Sequence, residues 1–319
     1  MRLIFLGTPV FAVPTLEAIV NAGHQVAAVL TQPDRPSGRG QNAAASPVKQ
    51  AALRLGLTLY QPERVRRPEA VEYLRGIACD AMVVVGYGQI IPQAVIDLAP
   101  VGIINVHASL LPKYRGAGPI QWAIVRGESR TGVTTMRIDA GLDTGDMLLK
   151  AETEIGPEEN AVELGARLAT MGAELLVETL EGLRTGSIVA QKQDDAQATQ
   201  APLLKKEDGA IDWTAPAQAI HNRVRGLQPW PGAQTAFRGV PLRVWRTGSP
   251  AGAPAAVHGV RPAKRPGQFV SLKPPVVACG EGCLELLEVQ LEGRKRISAA
   301  DFANGQRLAD NDVLGEPQI

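Results

Sequence analysis

Three polar side chains in this sequence have the types needed for acyl-transfer chemistry. Asn105 and His107 lie two positions apart at the end of an apolar run that predicts a buried strand, and Asp143 follows in a Gly-Leu-Asp-Thr-Gly turn. Alternate side chains of a strand point to the same side, so the amide and the imidazole can reach one small group. Both groups donate hydrogen bonds, the ring when it is protonated. Two donors aimed at one carbonyl oxygen stabilise the negative charge that develops during nucleophilic addition.

The carboxylate of Asp143 has two candidate roles. It can pair with the protonated ring of His107 and fix the orientation of that ring, or it can take a proton from an attacking amine through a water molecule. The sequence contains no Gly-x-Ser-x-Gly elbow and no cysteine in an activating setting. The pattern therefore indicates direct acyl transfer to an amine. For each residue alone, a structural role at a strand end or in a turn is the alternative.

Strand and helix patterns alternate over the first 150 residues and predict the elements that carry these side chains. Apolar runs at Leu3–Leu6, Ala81–Val85 and Val101–His107 predict strands, with helical patterns between them. This alternation favours a doubly wound, Rossmann-like α/β fold with a mostly parallel sheet. Ligands of such sheets bind beyond the carboxyl ends of the strands, which is where Asn105 and His107 fall.

The glycine-rich signature of dinucleotide-binding folds is missing. The first predicted strand is followed by Gly7-Thr8-Pro9 in place of Gly-x-Gly-x-x-Gly, and Pro9 lacks a backbone N–H. The sequence also has no Gly-x-x-x-x-Gly-Lys-Ser/Thr segment. A Rossmann-like sheet without a phosphate cradle argues against a bound nucleotide cofactor.

A change of pattern after Leu204 predicts a second domain. Short apolar segments separated by Gly-Pro turns indicate a small, OB-like β barrel. The polar stretch before it predicts a linker, so we expect domains at 1–189 and 205–319 joined by residues 190–204. Residues 205–296 contain 14 lysines and arginines against seven aspartates and glutamates, a net charge of +7. This excess favours a polyanionic partner, with an ordinary solvated surface as the alternative.

The cysteine pattern and the hydropathy of the chain indicate its cellular compartment and argue against a metal site or a membrane span. Cys79, Cys279 and Cys283 are few and odd in number, which is typical of a reducing compartment, and their spacing predicts no zinc site or other metal. A strand that starts at the first residues leaves no room for a signal peptide. No apolar run approaches the roughly 20 residues of a membrane span. We expect a cytoplasmic monomer that does not associate with membranes.

Motifs along nearly the whole chain resemble the folate-dependent formyltransferase superfamily and, within it, the methionyl-tRNA formyltransferases. The superfamily resemblance is carried by Asn105–Pro112, Tyr114-Arg115-Gly116 and Asp139–Gly145. The narrower resemblance is carried by segments that include Phe5–Pro9, the loop at Thr31–Lys49, Ala201–Gly209, Pro229–Gly232 and Leu291–Lys295.

The resemblance implies transfer of a formyl group from 10-formyltetrahydrofolate to the α-amine of methionine on initiator tRNA, for translation initiation. By the family pattern, Asn105, His107 and Asp143 are catalytic. The residues that the resemblance places against the folate are Ser109, Leu110, Leu111, Pro112, Gly86, Tyr87, Gln89, Ile90, Ile91, Asp139, Ala140 and Leu142. Those expected to bind tRNA, on the loop and on the second domain, are Arg39, Lys205, Lys206, Arg294, Lys295 and Arg296.

Three alternative functions remain compatible with parts of the sequence. A sugar-nucleotide formyltransferase would also pair this type of catalytic domain with a barrel, but the loop motif and the basic second domain argue against it. A formyltetrahydrofolate hydrolase would use the same three side chains, with water in place of the amine. A tRNA-binding protein without catalysis is disfavoured by the complete set of Asn105, His107 and Asp143.

Overall fold

The structure, a computed structural model, describes residues 1–37, 42–250 and 264–315, which group into two compact units. The first unit comprises Met1–Pro119, Thr131–Thr153 and Gly165–Ala201. The second comprises Ile120–Arg130, Glu154–Leu164 and Pro202–Ile319. The domain boundaries expected from the sequence stay a prediction.

Most strands of the first unit belong to a single sheet. The strands in the described part are β1 (Arg2–Gly7), β2 (Gln25–Leu30), β3 (Arg35–Ser37), β4 (Asn42–Ala44), β5 (Leu59–Tyr60), β6 (Ala81–Val85), β7 (Ile103–His107), β8 (Arg130–Arg137) and β9 (Met147–Glu154). The order across the sheet is β5-β2-β1-β6-β7-β8-β9, and β3 pairs with β4 in a separate hairpin. Pairing is parallel from β5 through β7 and antiparallel between β7 and β8. The predicted mostly parallel, Rossmann-like sheet is confirmed.

Helices connect these strands: α1 (Val13–Asn21), α2 (Pro47–Arg54), α3 (Pro68–Arg75), α4 (Gln93–Ile96), α5 (Pro119–Val125) and α6 (Ala161–Thr185). Proline at the first turn begins α2 and α3, where its missing N–H has no intrahelical partner to lose. The Ser46 hydroxyl caps α2 by accepting a hydrogen bond from the Lys49 N–H. All five side chains of β6 are buried, as expected for a central strand covered on both faces.

Strand register places the candidate catalytic positions in the centre of the sheet. Asn105 of β7 lies opposite Val84 of β6 on one side and Met136 of β8 on the other. His107 is the last residue of β7 and lies opposite Thr134. Both positions therefore lie at the carboxyl end of a strand with neighbours on both sides, which gives their side chains a rigid base.

The second unit contains an antiparallel sheet. Its elements are α7 (Ala217–Gly226), β10 (Ala233–Phe237), β11 (Val240–Thr247), β12 (Phe269–Leu272), β13 (Pro275–Ala278), β14 (Cys283–Leu291), β15 (Ile297–Ser298) and α8 (Ala299–Gln306). The strand path is β10-β11-β14-β13-β12, and β15 pairs with β14. Leu314 bridges to Phe237 of β10, and Val313 bridges to Gln268 beside β12, so the two edges of the path meet at one segment. The sequence predicts a small, OB-like β barrel here, and the structure confirms an antiparallel β sheet.

The core of this second unit forms around aromatic side chains. Phe237 and Phe302 meet edge to face with ring centroids 5.1 Å apart. Trp213 is buried in the same cluster and donates its indole N–H to the Thr235 hydroxyl at 3.0 Å. Trp230, by contrast, has 53% of its surface exposed.

His221 of α7 makes the stability of the chain depend on pH. Its ring is buried between the Thr247 hydroxyl, 2.8 Å from Nδ1, and the Pro157 carbonyl, 3.2 Å from Nε2. Burial lowers the pKa of His221, and this effect outweighs the Pro157 carbonyl and the Glu158 carboxylate, which both raise it. Below about pH 6.5 the His221 ring is protonated in the unfolded chain, whereas burial disfavours its protonation in the folded chain. The free energy of unfolding therefore falls as the pH drops below that value.

We expect His221→Gln to reduce this loss of stability, because glutamine can donate to the same carbonyl without titrating. The measurement is urea unfolding of both proteins at pH 7 and pH 5. The difference in unfolding free energy between the two pH values should be smaller for the variant. An equal difference in the two proteins would show that another group is responsible.

Candidate active site

His107 is held at the end of β7 by one of its ring nitrogens. The side chain is 6% exposed, and Nε2 lies 2.9 Å from the main-chain carbonyl of Tyr114. A carbonyl oxygen has no proton to give, so Nε2 must be the donor in this hydrogen bond. The other nitrogen, Nδ1, is therefore the one that can exchange a proton or donate to a reactant.

Asp143 faces that second nitrogen. Its Oδ2 atom lies 3.7 Å from Nδ1 of His107, a distance for an ion pair with the protonated ring rather than a direct hydrogen bond. The same oxygen accepts a hydrogen bond of 2.9 Å from the Gly116 N–H. Asp143 has a positive φ of 53°, a conformation uncommon for residues other than glycine. The structure thus brings together an imidazole and a carboxylate that are 36 positions apart in the sequence.

Asn105 offers an amide that the protein leaves available. It lies two residues before His107 on the same strand, so both side chains leave the sheet on the same side. Asn105 is partly exposed, and within the described ranges its side chain has no hydrogen-bond partner. An amide in this state can donate to a reactant without first breaking a bond within the protein.

The turn that follows β7 is fixed by hydrogen bonds to its backbone. The Thr134 hydroxyl donates to the Ser109 carbonyl at 2.7 Å and accepts from the Leu111 N–H at 3.1 Å. Lys150 Nζ donates to the Leu111 carbonyl at 2.5 Å, and the Ser109 hydroxyl donates to the Lys113 carbonyl at 2.6 Å. The predicted folate-contacting segment from Ser109 to Pro112 therefore has a rigid main chain.

The predicted folate residues after β6 include residues that are buried or bonded within the protein and residues whose side chains are exposed. The Tyr87 side chain is buried, and its carbonyl accepts from the Thr8 hydroxyl and the Gln32 amide. The Gln89 side chain holds a neighbouring loop, because its Oε1 atom accepts from the Val65 N–H at 2.7 Å. By contrast, Ile90 is 89% exposed.

The predicted residues from the Asp139 turn show the same division. The Asp139 carboxylate accepts from the Gly141 N–H at 3.0 Å and from the Thr144 hydroxyl at 2.7 Å, which shapes the turn that presents Asp143. Leu142 is 66% exposed. The exposed Leu142 side chain therefore lies on a turn whose main chain is fixed by internal hydrogen bonds.

A cavity of about 510 Å³ lies in the first unit and includes two of the predicted folate residues, Gln89 and Ile90. Three arginines that have no ion-pair partner among the described residues face it: Arg35, Arg64 and Arg66. The other described residues that line it are Gln32, Pro33, Glu63 and Gly88. Asn105, His107 and Asp143 are not among the residues that line it.

Main-chain groups of Tyr114 and Gly116 hold this site, and sequence reasoning missed them. The Tyr114 carbonyl orients His107, and the Gly116 N–H orients Asp143. The one signal in the sequence was the Tyr114-Arg115-Gly116 segment, which carries part of the resemblance. In the structure Gly116 has a positive φ of 120°, a conformation that favours glycine. A second omission, Gln193, bonds to the Asp143 turn.

We expect Gly116→Ala to lower both the melting temperature and kcat. A Cβ atom at this position would lie 2.6 Å from the Ala201 carbonyl oxygen, and φ is unfavourable for alanine. The backbone must shift, which moves the N–H that binds Asp143. Thermal unfolding and steady-state kinetics measure the two effects. In the matched control, Gly76→Ala, the nearest atom is 3.5 Å from the new Cβ, so the melting temperature should stay near that of the wild type. Equal behaviour of the two variants would contradict the account.

The predicted tRNA-binding residues differ in how freely their charges are available. Lys205, Lys206, Arg294 and Lys295 are exposed in the second unit. Arg296 forms an ion pair with Glu288, and its guanidinium lies 4.9 Å from the centre of the Trp245 ring. Arg39 lies outside the described residues.

Within the described ranges, no group of three or more His, Cys, Asp or Glu side chains is arranged to hold a metal ion. The helices described here include none that is both long enough and apolar enough to cross a membrane.

Comparison with known proteins assigns the family of this chain. The family model described as "Formyl transferase" matches residues 1–180, and "Formyl transferase, C-terminal domain" matches residues 203–307. A protein of Solibacter usitatus named methionyl-tRNA formyltransferase is 75% identical over 319 residues and covers 100% of both chains. The chain belongs to the methionyl-tRNA formyltransferase family. A protein of the same name from Koribacter versatilis is 56% identical over 318 residues, 99% of each chain.

Solved structures with low sequence identity share the fold. An N-formyltransferase from Helicobacter canadensis, in complex with folinic acid and dTDP-3-aminofucose, is 16% identical with a TM-score of 0.66, covering 93% of this chain and 100% of that one. HypX from Aquifex aeolicus, in complex with tetrahydrofolic acid, is 16% identical with a TM-score of 0.62, covering 95% of this chain and 47% of that one.

Proposed function

We propose that this chain transfers a formyl group from 10-formyltetrahydrofolate to the α-amine of methionine on initiator tRNA, for translation initiation. The observation that carries this proposal is full-length identity of 75% to a protein named methionyl-tRNA formyltransferase. The arrangement of Asn105, His107 and Asp143 supplies a chemistry that fits that name.

The donor in this proposal is a folate. Two proteins of the same fold are described with folinic acid or tetrahydrofolic acid bound. In this chain the exposed side chains of Ile90 and Leu142 suit the flat, partly apolar ring system of a folate. The rigid main chain from Ser109 to Pro112 and the loops at Gly86–Ile91 and Asp139–Leu142 would complete its contacts. Bound there, the folate supplies an activated formyl group.

Asn105 and His107 stabilise charge in the proposed reaction. The Asn105 amide and the protonated Nδ1 of His107 donate hydrogen bonds to the formyl oxygen while the amine attacks the formyl carbon. Nδ1 performs this role because Nε2 is bound to the Tyr114 carbonyl. Both donors are positioned before the reaction by β7, so little reorganisation is required when charge develops.

Asp143 handles the proton in the proposed reaction. A bond forms between the amine nitrogen and the formyl carbon, and the bond from that carbon to the folate nitrogen breaks. Asp143 accepts the proton that the amine loses, through a water molecule, and returns a proton by the same route to the departing folate nitrogen, so that the carboxylate ends the reaction unprotonated. The Gly116 N–H holds the carboxylate in place for this step.

The tRNA contacts in this proposal come from two regions. Exposed cations of the second unit, Lys205, Lys206, Arg294 and Lys295, together with Arg296, would contact phosphates and position the acceptor without reading its bases. Arg39 would act from the loop at 31–49. We expect the chain to act as a monomer in the cytoplasm, where initiator tRNA is used.

An acceptor panel tests this function. Purified chain and 10-formyltetrahydrofolate are incubated with methionine-charged initiator tRNA, with an amino-sugar nucleotide, or with buffer alone. The proposal requires formylmethionyl-tRNA as the product and little formate in buffer. A formylated amino sugar would favour a sugar-nucleotide formyltransferase, and rapid formate release in buffer would favour a hydrolase. Binding of tRNA with no formyl transfer at all would leave only a tRNA-binding protein.

A further inference from the structure

Gln193 lies in the polar segment predicted as a linker, yet its side chain is buried, with 5% of its surface exposed. This segment is attached to the first unit on both sides of Gln193. Gln191 exchanges two backbone hydrogen bonds of 2.8 Å with Met147, and Arg115 bonds through its backbone to Thr199 and Ala201. The chain around Gln193 is therefore an ordered strap on the first unit.

The Gln193 amide joins two parts of the candidate site. Its Nε2 atom donates to the carbonyls of Asp143 and Gly145, each at 2.8 Å. Its Oε1 atom accepts from Nε and Nη2 of Arg115, at 3.0 and 2.9 Å. A glutamine side chain has two N–H donors and two acceptor positions, and all four are used here. The guanidinium only donates, so it also fixes which end of the amide faces the Asp143 turn.

The turn that Gln193 holds needs support from outside itself. Asp143 is in the left-handed region with φ 53°, a conformation that persists in a non-glycine residue when its surroundings enforce it. Gln193 bonds the carbonyl of Asp143 and the carbonyl two residues later, on either side of Thr144. These bonds fix the main chain from which the Asp143 carboxylate projects.

Arg115 closes the connection between the strap and the site. Its guanidinium is buried, bonds to Gln193 and forms an ion pair with Asp195 at 2.7 Å. The next residue, Gly116, donates its N–H to the Asp143 carboxylate, and the preceding residue, Tyr114, binds His107 through its carbonyl. One tripeptide thus orients the imidazole and the carboxylate directly and orients the Asp143 main chain through Gln193.

We propose that Gln193 is a positioning residue for the formyl-transfer reaction: it holds the Asp143 turn in the geometry that places the carboxylate opposite Nδ1 of His107. Gln193 acts through Asp143 and does not touch the reactants. This inference rests on the proposed role of Asp143.

The test compares Gln193→Ala in two backgrounds. In the wild-type background, loss of the amide frees the Asp143 turn, and kcat falls by about 10²-fold, the effect expected for a displacement of about 1 Å. The KM for charged tRNA stays within about threefold, because the described residues proposed to contact tRNA form no bond with Gln193 or with the Asp143 turn. In the Asp143→Ala background the same substitution lowers kcat no further, since there is no carboxylate left to misplace. A purely structural role would lower kcat in both backgrounds.

Two further variants make the result decisive. Gln191→Ala removes an exposed glutamine on the same strap and leaves its backbone bonds intact, so kcat should be unchanged. Gln193→Glu keeps the acceptor for Arg115 and loses the donors to the turn, so it should fold and show the same fall in kcat as Gln193→Ala. Wild-type kcat in Gln193→Glu, or equal losses from Gln193→Ala in both backgrounds, would overturn the inference. If Asp143→Ala itself keeps wild-type kcat, the proposed catalytic site fails instead.

Discussion

Replacing Asn105 with alanine is expected to lower kcat for formyl transfer by about 10²–10³-fold, with a small change in the KM for the formyl donor. The amide is free within the described protein and lies on the same side of β7 as His107, so its donor strength is available for the charge on the formyl oxygen. A donor that acts mainly on developing charge lowers kcat when removed, whereas a ground-state contact raises KM. Steady-state kinetics with both substrates varied separates the two.

Two companion variants identify which property of Asn105 matters. Asn105→Asp has nearly the same shape but lacks the N–H donors, so it should lose as much kcat as the alanine variant. Asn21→Ala removes an exposed asparagine at the end of α1 and should leave the kinetics unchanged. A near-normal kcat in Asn105→Ala would remove this residue from the proposed role.

Affinity for charged tRNA is expected to fall by about 10³-fold between 50 mM and 200 mM salt, if about six phosphates are neutralised. The basis is the net charge of +7 over residues 205–296 and the exposed cations Lys205, Lys206, Arg294 and Lys295. Each phosphate contact releases counterions from the nucleic acid, so the logarithm of the affinity falls linearly with the logarithm of salt concentration. Filter binding or fluorescence titration over a salt series gives the slope.

Single substitutions show which residues contribute to the salt dependence of tRNA binding. Lys206→Ala should weaken binding and reduce the magnitude of the slope by about one, as expected for one lost phosphate contact. Lys273→Ala removes an exposed lysine of the same unit that lies between β12 and β13 and is outside the predicted set, so the slope should not change. A flat salt response in the wild-type protein would contradict a phosphate-binding role for the second unit.

The strands that carry the site were predictable because each is a continuous apolar run with a clear end. The run Ala81–Val85 is β6 with the same bounds, and the run predicted at Val101–His107 is observed as Ile103–His107. Strands buried on both faces show this pattern without alternation. Helices α2 and α3 begin at Pro47 and Pro68, and proline at the first turn is a helix-start signal that can be recognised in a sequence.

Other elements left no such pattern. The sequence does not predict strand β9, Met147–Glu154, since its apolar run is only three residues long and is followed by a stretch that contains Lys150 and two glutamates. The sequence predicts a linker around Gln193 because its neighbours are polar. Its partners lie 48 to 78 positions away in the chain, and such contacts have no local signal. Main-chain groups, such as the Tyr114 carbonyl that binds His107, are the same in every residue type, so composition cannot reveal them.

A single-turnover experiment with 10-formyltetrahydrofolate labelled in the formyl group tests the central claim most directly. Wild-type protein and charged initiator tRNA are mixed with the labelled donor and quenched at intervals, and the label is followed in tRNA, in formate and on the protein. The account predicts that the label passes to the methionine amine with no protein-bound stage, and that Asn105→Ala slows this passage without diverting it. Label trapped on the protein, or released mainly as formate in the presence of charged tRNA, would contradict direct transfer by Asn105, His107 and Asp143.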